Sequence, residues 1–492
     1  MSPFFISFSI NLNKNKMSRF NTNTIGAKTV NKAGGESYSQ SPELELVSVL
    51  LTSFANDTFY EKAEDKFDRL KGLVKQIDPL FAAQAAVYAR REFGMRSITH
   101  VLAGELAQYA SGREWAKRFY AAIINRPDDM TEIVSYLLAN GQKLPNALKK
   151  GFANAFGSFD SYQLAKYRGE TKTVKLVDVV NLVHPIPVNG NKEALEQLIK
   201  GTLKSVDTWE SKLTQAGQGA DTEEKKDEAK KEAWTDLIKT GKMGYFALLR
   251  NLRNLMESVP ELESEIIKQL TNRDKIKKSL VLPFRFFTAI TELEKLQNTR
   301  NIVAAINNAA EISLDNIPRL KGKTLIAVDT SGSMNGRPGN IAKMFGSILY
   351  KTTDSMLLSF SDDAKYVTLN PNDSLLSLME KIPFICGGTN FNSIFDRSTT
   401  KFDRIIILSD MQAWMNSGWS SSCPKEAFAN YKQRAGADPL IYSFDLNGYG
   451  SMQFPERNVY CLAGFSDKIF DIMAVLEEDR NALINKIKNV KF

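Results

Sequence analysis

The stretch KTLIAVDTSGSM, Lys323 to Met334, decides how the second half of this chain is read. An apolar run ends in a carboxylate, Asp329, and hydroxyls follow at alternate positions, Ser331 and Ser333, around Gly332. Three more short apolar runs lie downstream, MLLSFS, RIIILSD and PLIYSFDL. Each suits a strand buried on both faces. Between them lie helical stretches, IAKMFGSILYKT, SLLSLMEKI, KEAFANYKQRAG and, after the last, DKIFDIMAVLEED. Strand alternating with helix predicts a mostly parallel sheet covered on both faces, over residues 320–492.

In such a sheet ligands collect beyond the carboxyl ends of the strands, where Asp329 falls. One carboxylate and two hydroxyls form a hard, all-oxygen donor set, suited to Mg²⁺. Thr389 in CGGTNF and Asp410 at the end of RIIILSD extend it. Asp329, Ser331, Ser333, Thr389 and Asp410, in this order, resemble the metal-ion-dependent adhesion site of von Willebrand factor A domains. That resemblance implies an open metal position that a partner's carboxylate or phosphate fills, and binding without turnover. The competing reading is a serine cluster that caps a helix and holds no metal. An aspartyl-phosphate phosphatase would need a second aspartate where Ser331 stands, a P-loop is absent, and a two-metal nuclease needs more carboxylates.

The rest of the composition narrows the class. The chain has 492 residues, 43% hydrophobic, enough for roughly two to four domains. A net charge of +8 permits a nucleic-acid partner without requiring one. Three cysteines, none in a CxxC pair, suit a reduced, cytoplasmic protein, and two histidines leave no room for multi-histidine chemistry. No apolar stretch is long enough to span a membrane. The start MSPFFISFSINLNKNK lacks a basic region before its apolar patch, so a signal peptide is not expected, and Met17 is a second candidate start.

Residues 1–36 read as a flexible lead-in and 37–316 as helical. Ser41 and Pro42 open SPELELVSVLLTSF as N-cap and first helical residue, with Leu44, Val47, Leu51 and Phe54 on one face. Asp78 and Pro79 repeat the device, and LPNALKKGFANAF aligns Leu144, Leu148, Phe152 and Phe156. Helices in series with short connections suggest a solenoid of helix pairs, with an irregular helical domain as the alternative. The charged segment at 215–233 reads as a solvated loop or an exposed helix extension.

MGYFALLRNLRNL from Met243 resembles the ALLRNL signature of the Ro autoantigen family, the TROVE-module proteins. LPFRFF, SPELELVSVLLTSF, YARREFGMRSITHVLAGELA and LPNALKKGFANAF are also similar to that family's helices, and in its order. The resemblance covers roughly residues 20–490. It implies an α plus α/β fold: a ring-like α-solenoid of HEAT-like repeats closed by a von Willebrand factor A domain. It implies a monomer that binds small structured Y-like RNAs on its outer surface and single-stranded 3′ ends of misfolded RNAs in a central hole. In bacterial relatives a Y RNA tethers an exoribonuclease, which makes one a candidate partner here.

Lys149, Lys150, Lys166, Arg168, Lys172 and Lys175 fall in a span with few acids and could neutralise phosphates. Tyr167 and His184 could stack on a base or contact the backbone. The resemblance assigns Lys166 and His184, followed by Pro185, to the RNA surface, and Arg168 less securely. Arg250 and Arg253 share a helix face and either meet RNA or pair with acids, as do Arg90, Arg91 and Arg96. His100 reads as structural. Three functions compete: a non-catalytic RNA-binding ring in RNA quality control, a metal-dependent protein-interaction scaffold, and a metal-dependent nuclease.

Overall fold

The computed structural model describes residues 28–492 except 40, 53–62, 189, 205, 207–210, 214–215, 217–221, 242, 280, 282, 294, 414–422, 450, 454–458, 464–469, 471–472, 474–476 and 478–481. Strands β1 (Lys28–Val30) and β2 (Glu36–Ser39) precede a helical array. After it come β3 (Lys323–Asp329), β4 (Asp354–Phe360), β5 (Ala364–Tyr366), β6 (Arg404–Ser409), β7 (Leu440–Asp445), β8 (Ser451–Met452) and β9 (Val459–Ala463).

The four apolar runs are strands of one six-stranded sheet, in the order β5-β4-β3-β6-β7-β9. Only β5 runs antiparallel to its neighbour; β4, β3, β6, β7 and β9 are mutually parallel. Alternate residues divide between two cores. Leu325, Ala327, Ile405 and Ile407 pack on one face, with Phe395 and Phe428. Ile326, Val328, Ile406 and Leu408 pack on the other, in a core continuous with that of the helical array. From β3 the chain crosses to β4 on one side and later to β6 on the other. The direction of winding therefore reverses between β3 and β6, the place where open α/β sheets leave a crevice at their carboxyl ends.

The helical array runs from Pro42–Thr52 to Arg300–Ser313. Its caps follow the sequence: the Leu44 N–H donates to Ser41 Oγ at 3.3 Å, and the Leu80 N–H to Asp78 Oδ1 at 3.2 Å. Leu148, Phe152 and Phe156 are fully buried on one face, as their spacing predicts; Phe54 lies outside the described residues. Helix Asn146–Ala155 lies close on Ala116–Ala122 because Gly151 has no side chain. A Cβ there would stand 2.7 Å from the Lys117 carbonyl oxygen and 2.5 Å from Tyr120 Cβ. The charged segment is, from Glu223, a helix extending to Thr240; its charged first half is largely exposed and Trp234, Leu237 and Ile238 are buried. The parts of it at 215 and 217–221 lie outside the described residues.

One buried carboxylate organises the early helices. Asp129, at the start of helix Pro127–Ala139, accepts from Arg90 Nη2 (2.8 Å), Arg96 Nε (2.9 Å) and the backbone N–H groups of Asn125 (3.0 Å) and Arg126 (2.9 Å). His100 Nε2 lies 3.1 Å away. Burial alone would raise the Asp129 carboxyl. The His100 hydrogen bond and the Arg90 charge outweigh it and hold the group far below the carboxylate range. Arg90, Arg96 and His100 are thus structural residues, which settles their sequence reading in favour of pairing.

The sheet unit touches both ends of the array. At the late end Lys351 Nζ pairs with Glu311 at 2.9 Å, and the Leu375 N–H donates to the same carboxylate at 2.6 Å. At the early end Arg69 donates to the Tyr449 carbonyl at 3.0 Å, Gln84 to the Lys488 carbonyl at 2.5 Å, and Phe492 lies 5.9 Å from the Phe119 ring. The lead-in expected to be flexible to residue 36 departs from that reading from Lys28 onward. β1 and β2 form a hairpin, and β2 pairs antiparallel with β8. Asn31 Nδ2 donates to the Ala413 carbonyl at 2.6 Å, and the Lys32 N–H to Gln412 Oε1 at 2.7 Å. These polar residues find their partners about 380 positions away, beyond the reach of any local pattern. No helix among the described residues is long and apolar enough to cross a membrane.

Candidate metal edge and cationic surfaces

Three loops meet at the carboxyl end of the sheet, at the β3/β6 crevice. The turn after β3 carries Ser331 and Ser333. The loop before helix Asn392–Arg397 is held against it: the Gly332 N–H donates to the Gly387 carbonyl at 3.0 Å, and the Cys386 N–H to the Thr330 carbonyl at 2.9 Å. That brings the Thr389 loop to the same edge. The turn after β6 supplies Asp410. Gly339, at the start of helix Arg337–Thr352, lets that helix seat against the first turn, since a Cβ would stand 2.4 Å from the Met334 carbonyl oxygen. Cys386 and Met411, beside Gly387 and Asp410, hold positive φ of 59°, a conformation that side chains rarely adopt and that clusters at functional sites.

All five predicted donors are buried: Asp329, Ser331, Ser333, Thr389 and Asp410. Asp329 accepts from the Ser331 N–H at 2.9 Å and from the Ser409 hydroxyl at 2.5 Å, and the Ser331 and Ser333 hydroxyls lie 3.4 Å apart. Asp410 Oδ1 accepts a long bond from the Gln412 N–H, 3.3 Å, the Ser333 hydroxyl acts on the same carboxyl, and among the described residues Asp410 Oδ2 is buried with no hydrogen-bond partner in the geometry. Burial raises the Asp329 carboxyl, against the Ser331 and Ser409 hydrogen bonds. Burial and the Asp329 charge raise Asp410.

Two adjacent, water-excluded carboxylates with an orphaned oxygen and hydroxyls around them fit a hard divalent cation such as Mg²⁺. Among the described residues no three His, Cys, Asp or Glu side chains converge, so such a site depends on the hydroxyls. Sequence reasoning missed Ser409, which bonds Asp329, and Asp445, buried at the end of β7 and felt electrostatically at Asp410. Both end apolar runs, the same signal that marked Asp329.

The basic residues divide into two places. On the early helices Tyr167 lies under the Arg126 guanidinium at 4.3 Å, and Lys166 Nζ stands 5.8 Å from the same ring and 5.9 Å from that of Tyr162. Lys172 pairs with Glu132, and Arg168 with Glu170 at 3.0 Å and the Leu203 carbonyl, so both reach a ligand only by sharing it with these partners. Lys175 and His184 are exposed at opposite ends of helix Leu176–Val183; His184 closes it in a left-handed conformation, φ 50°. Lys149 is half-buried on the neighbouring helix Asn146–Ala155. These residues form a spread surface. Arg250 and Arg253 belong elsewhere, on a cavity wall with Phe246 and Arg285. Arg253 pairs there with Glu257 at 3.2 Å and Glu292 at 3.7 Å.

A model of the TROVE domain matches residues 38–229 and 202–335. The chain belongs to the TROVE-domain family. This TROVE-domain protein is 22% identical to the RNA-binding protein RO60 of Deinococcus radiodurans, across 87% of this chain and 91% of that one. The crystal structure of the Deinococcus radiodurans RO (RSR) protein matches with a TM-score of 0.61 at 19% identity, covering 89% of this chain and 100% of that chain. At that identity the likeness establishes the fold alone. Telomerase protein component 1 of Rattus norvegicus is 22% identical over 56% of this chain; that of Mus musculus is 22% identical over 52%. This TROVE-domain protein spans only 14% and 13% of those two relatives' lengths.

Proposed function

We propose that this protein is a non-catalytic RNA-binding protein of the Ro type. The observation that carries the reading is the match to the RNA-binding protein RO60 over most of both chains. In this reading the sheet unit is a von Willebrand factor A domain. Its contacts with the first and last helices support closure of the array into a monomeric ring. Structured, Y-like RNA binds the surface bearing Lys149, Lys166, Tyr167, Lys175 and His184, where cations and an aromatic ring lie together. Single-stranded 3′ ends of misfolded RNAs enter the hole, and the protein serves RNA quality control or degradation in the cytoplasm, with an exoribonuclease reached through a tethering RNA.

Asp329, Ser331, Ser333, Thr389 and Asp410 would hold Mg²⁺. Such an ion would neutralise the two carboxylates and would leave a position for a partner's anionic oxygen. The protein's own part is to exclude water and to fix the donors through Ser409, Gln412 and the Gly387 loop.

The test is titration of the protein in Mg²⁺ with a structured RNA carrying a single-stranded 3′ tail, beside its blunt version, at several salt concentrations. Tight, salt-sensitive binding that favours the tail, with both RNAs intact on a denaturing gel, is expected. Weak binding without tail preference would sink the reading and favour a protein-interaction scaffold. Mg²⁺-dependent cleavage lost in Asp329→Ala would favour a nuclease.

A further inference from the structure

We propose that the β1–β2 hairpin positions the metal edge: Asn31 and Lys32 hold the turn after β6 in the shape that gathers Asp410 with Asp329, so that cation binding and hairpin docking strengthen each other. The proposal rests on the metal reading of this edge and adds to it residues that are not themselves ligands. The turn runs from Ser409 to Ala413. Met411 in it holds a left-handed φ of 59°, which a residue with a side chain keeps only where its surroundings over-determine it. Three successive residues are held from the hairpin's side. Gln453, next to β8, donates from Nε2 to the Met411 carbonyl at 2.6 Å. The Lys32 N–H donates to Gln412 Oε1 at 2.7 Å, and Asn31 Nδ2 to the Ala413 carbonyl at 2.6 Å. Asn31, Gln412 and Gln453 are all buried, so water does not readily replace these bonds.

Inside the turn the same residues reach both carboxylates. Gln412 donates from its N–H to Asp410 Oδ1 at 3.3 Å and from Nε2 to the Asp410 carbonyl at 3.2 Å. The Met411 N–H donates to Ser409 Oγ at 3.0 Å, and that hydroxyl donates to Asp329 at 2.5 Å. A shift of the turn therefore moves one ligand and the hydroxyl that orients the other. Asn31 serves two ends at once. Its Oδ1 accepts from the Ala33 N–H at 3.1 Å and the Gly35 N–H at 2.9 Å, which shapes the hairpin, while Nδ2 makes the tie to Ala413. An aspartate at this position keeps the acceptor and loses the donor. Such coupling is reciprocal: if a docked hairpin raises cation affinity, the cation holds the hairpin by the same factor. A hairpin that merely packed on the sheet would add stability and leave the affinity alone.

The experiment is isothermal titration calorimetry of metal-free, full-length protein with Mg²⁺. Hydrogen exchange of residues 28–39, read by mass spectrometry in EDTA and in saturating Mg²⁺, accompanies it. Asn31→Asp and Gln453→Glu should each weaken Mg²⁺ about five-fold or more. Each adds a negative charge near the edge, so electrostatics alone would tighten the ion. Melting temperatures should show that the variants are folded. Gly151→Ala, destabilised within the helical array, is the control and should bind Mg²⁺ like the parent. In the parent, Mg²⁺ should slow exchange of residues 28–39 about five-fold or more; in Asp329→Ala it should not.

If the parent binds Mg²⁺ and Asn31→Asp binds it as tightly, or if Mg²⁺ leaves the exchange of residues 28–39 unchanged, the coupling is wrong and the metal reading stands. If the parent binds no Mg²⁺, both fall together. If Gly151→Ala weakens Mg²⁺ as much as Asn31→Asp does, the effect is one of general stability and the coupling is overturned.

Discussion

Replacing Asp410 by asparagine should stabilise the metal-free protein, although the residue is completely buried. Asp410 stands beside Asp329 with one carboxylate oxygen unpartnered among the described residues, and both groups are raised by burial. Each pKa unit by which burial and the Asp329 charge raise the Asp410 carboxyl costs about 1.4 kcal/mol once the group is ionised. Asparagine keeps the acceptor for the Gln412 N–H and removes the charge. In EDTA at pH 8, Asp410→Asn should therefore melt higher than the parent, by roughly 2–6 °C if the sheet unit unfolds cooperatively. A carboxyl raised on folding is destabilising once ionised, so the metal-free parent should lose stability as pH rises from the unfolded carboxylate range, near 4, toward the raised folded value. Mg²⁺ should reverse the order. At about one hundred times its dissociation constant it adds about 2.7 kcal/mol to a protein that binds it only when folded. The variant should gain little. Differential scanning calorimetry of both proteins, in EDTA and in Mg²⁺ at pH 5 and pH 8, reads all of this. A parent more stable than Asp410→Asn in EDTA at pH 8, or equal gains from Mg²⁺, would refute the argument that this edge is built around a missing positive charge.

Asp129→Ala leaves Arg90 without its buried carboxylate and Arg96 with Asp128 alone, and should cost about 3–5 kcal/mol in urea unfolding. Because the Asp129 carboxyl is depressed on folding, its contribution is complete above about pH 4 and is lost as pH falls below that; the variant should show a shallower acid limb. Gly151→Ala gains helix propensity but drives a methyl into the Lys117 carbonyl, so a net loss of about 1–3 kcal/mol in thermal unfolding is expected. Lys166→Glu combined with His184→Ala should weaken structured RNA in filter binding at least several-fold; unchanged affinity would remove that surface from the RNA reading.

The sequence reading succeeded where structure is local or periodic. Short apolar runs ending in Asp329 and Asp410 declared the strands and where they end, because a strand buried on both faces reads as a continuous apolar run. Ser41, Pro42, Asp78 and Pro79 marked helix starts because a cap is satisfied within three residues. What stayed illegible depends on distant partners. Arg90 and Arg96 look alike whether they face a ligand or a carboxylate, and Asp129, 33 to 39 positions away, decides the matter. Phe246 sits in an apolar helix whose pattern assigns it to a core; only the packed array leaves it at a cavity. Arg168 and Lys172 carry charge in the sequence, but Glu170 and Glu132 claim much of it in the fold.

The β1–β2 hairpin sets an order of assembly. Asn31 leaves the ribosome 382 residues before its partner Ala413. At about 5–20 residues per second, translation separates the two by roughly 20–80 s. Throughout that interval the first strands have no β8 to pair with, while the helical array can already pack from its early end. The hairpin therefore waits on strands made much later, as Gln84 waits on Lys488 and Phe119 on Phe492. A tag or truncation near it acts on this late pairing.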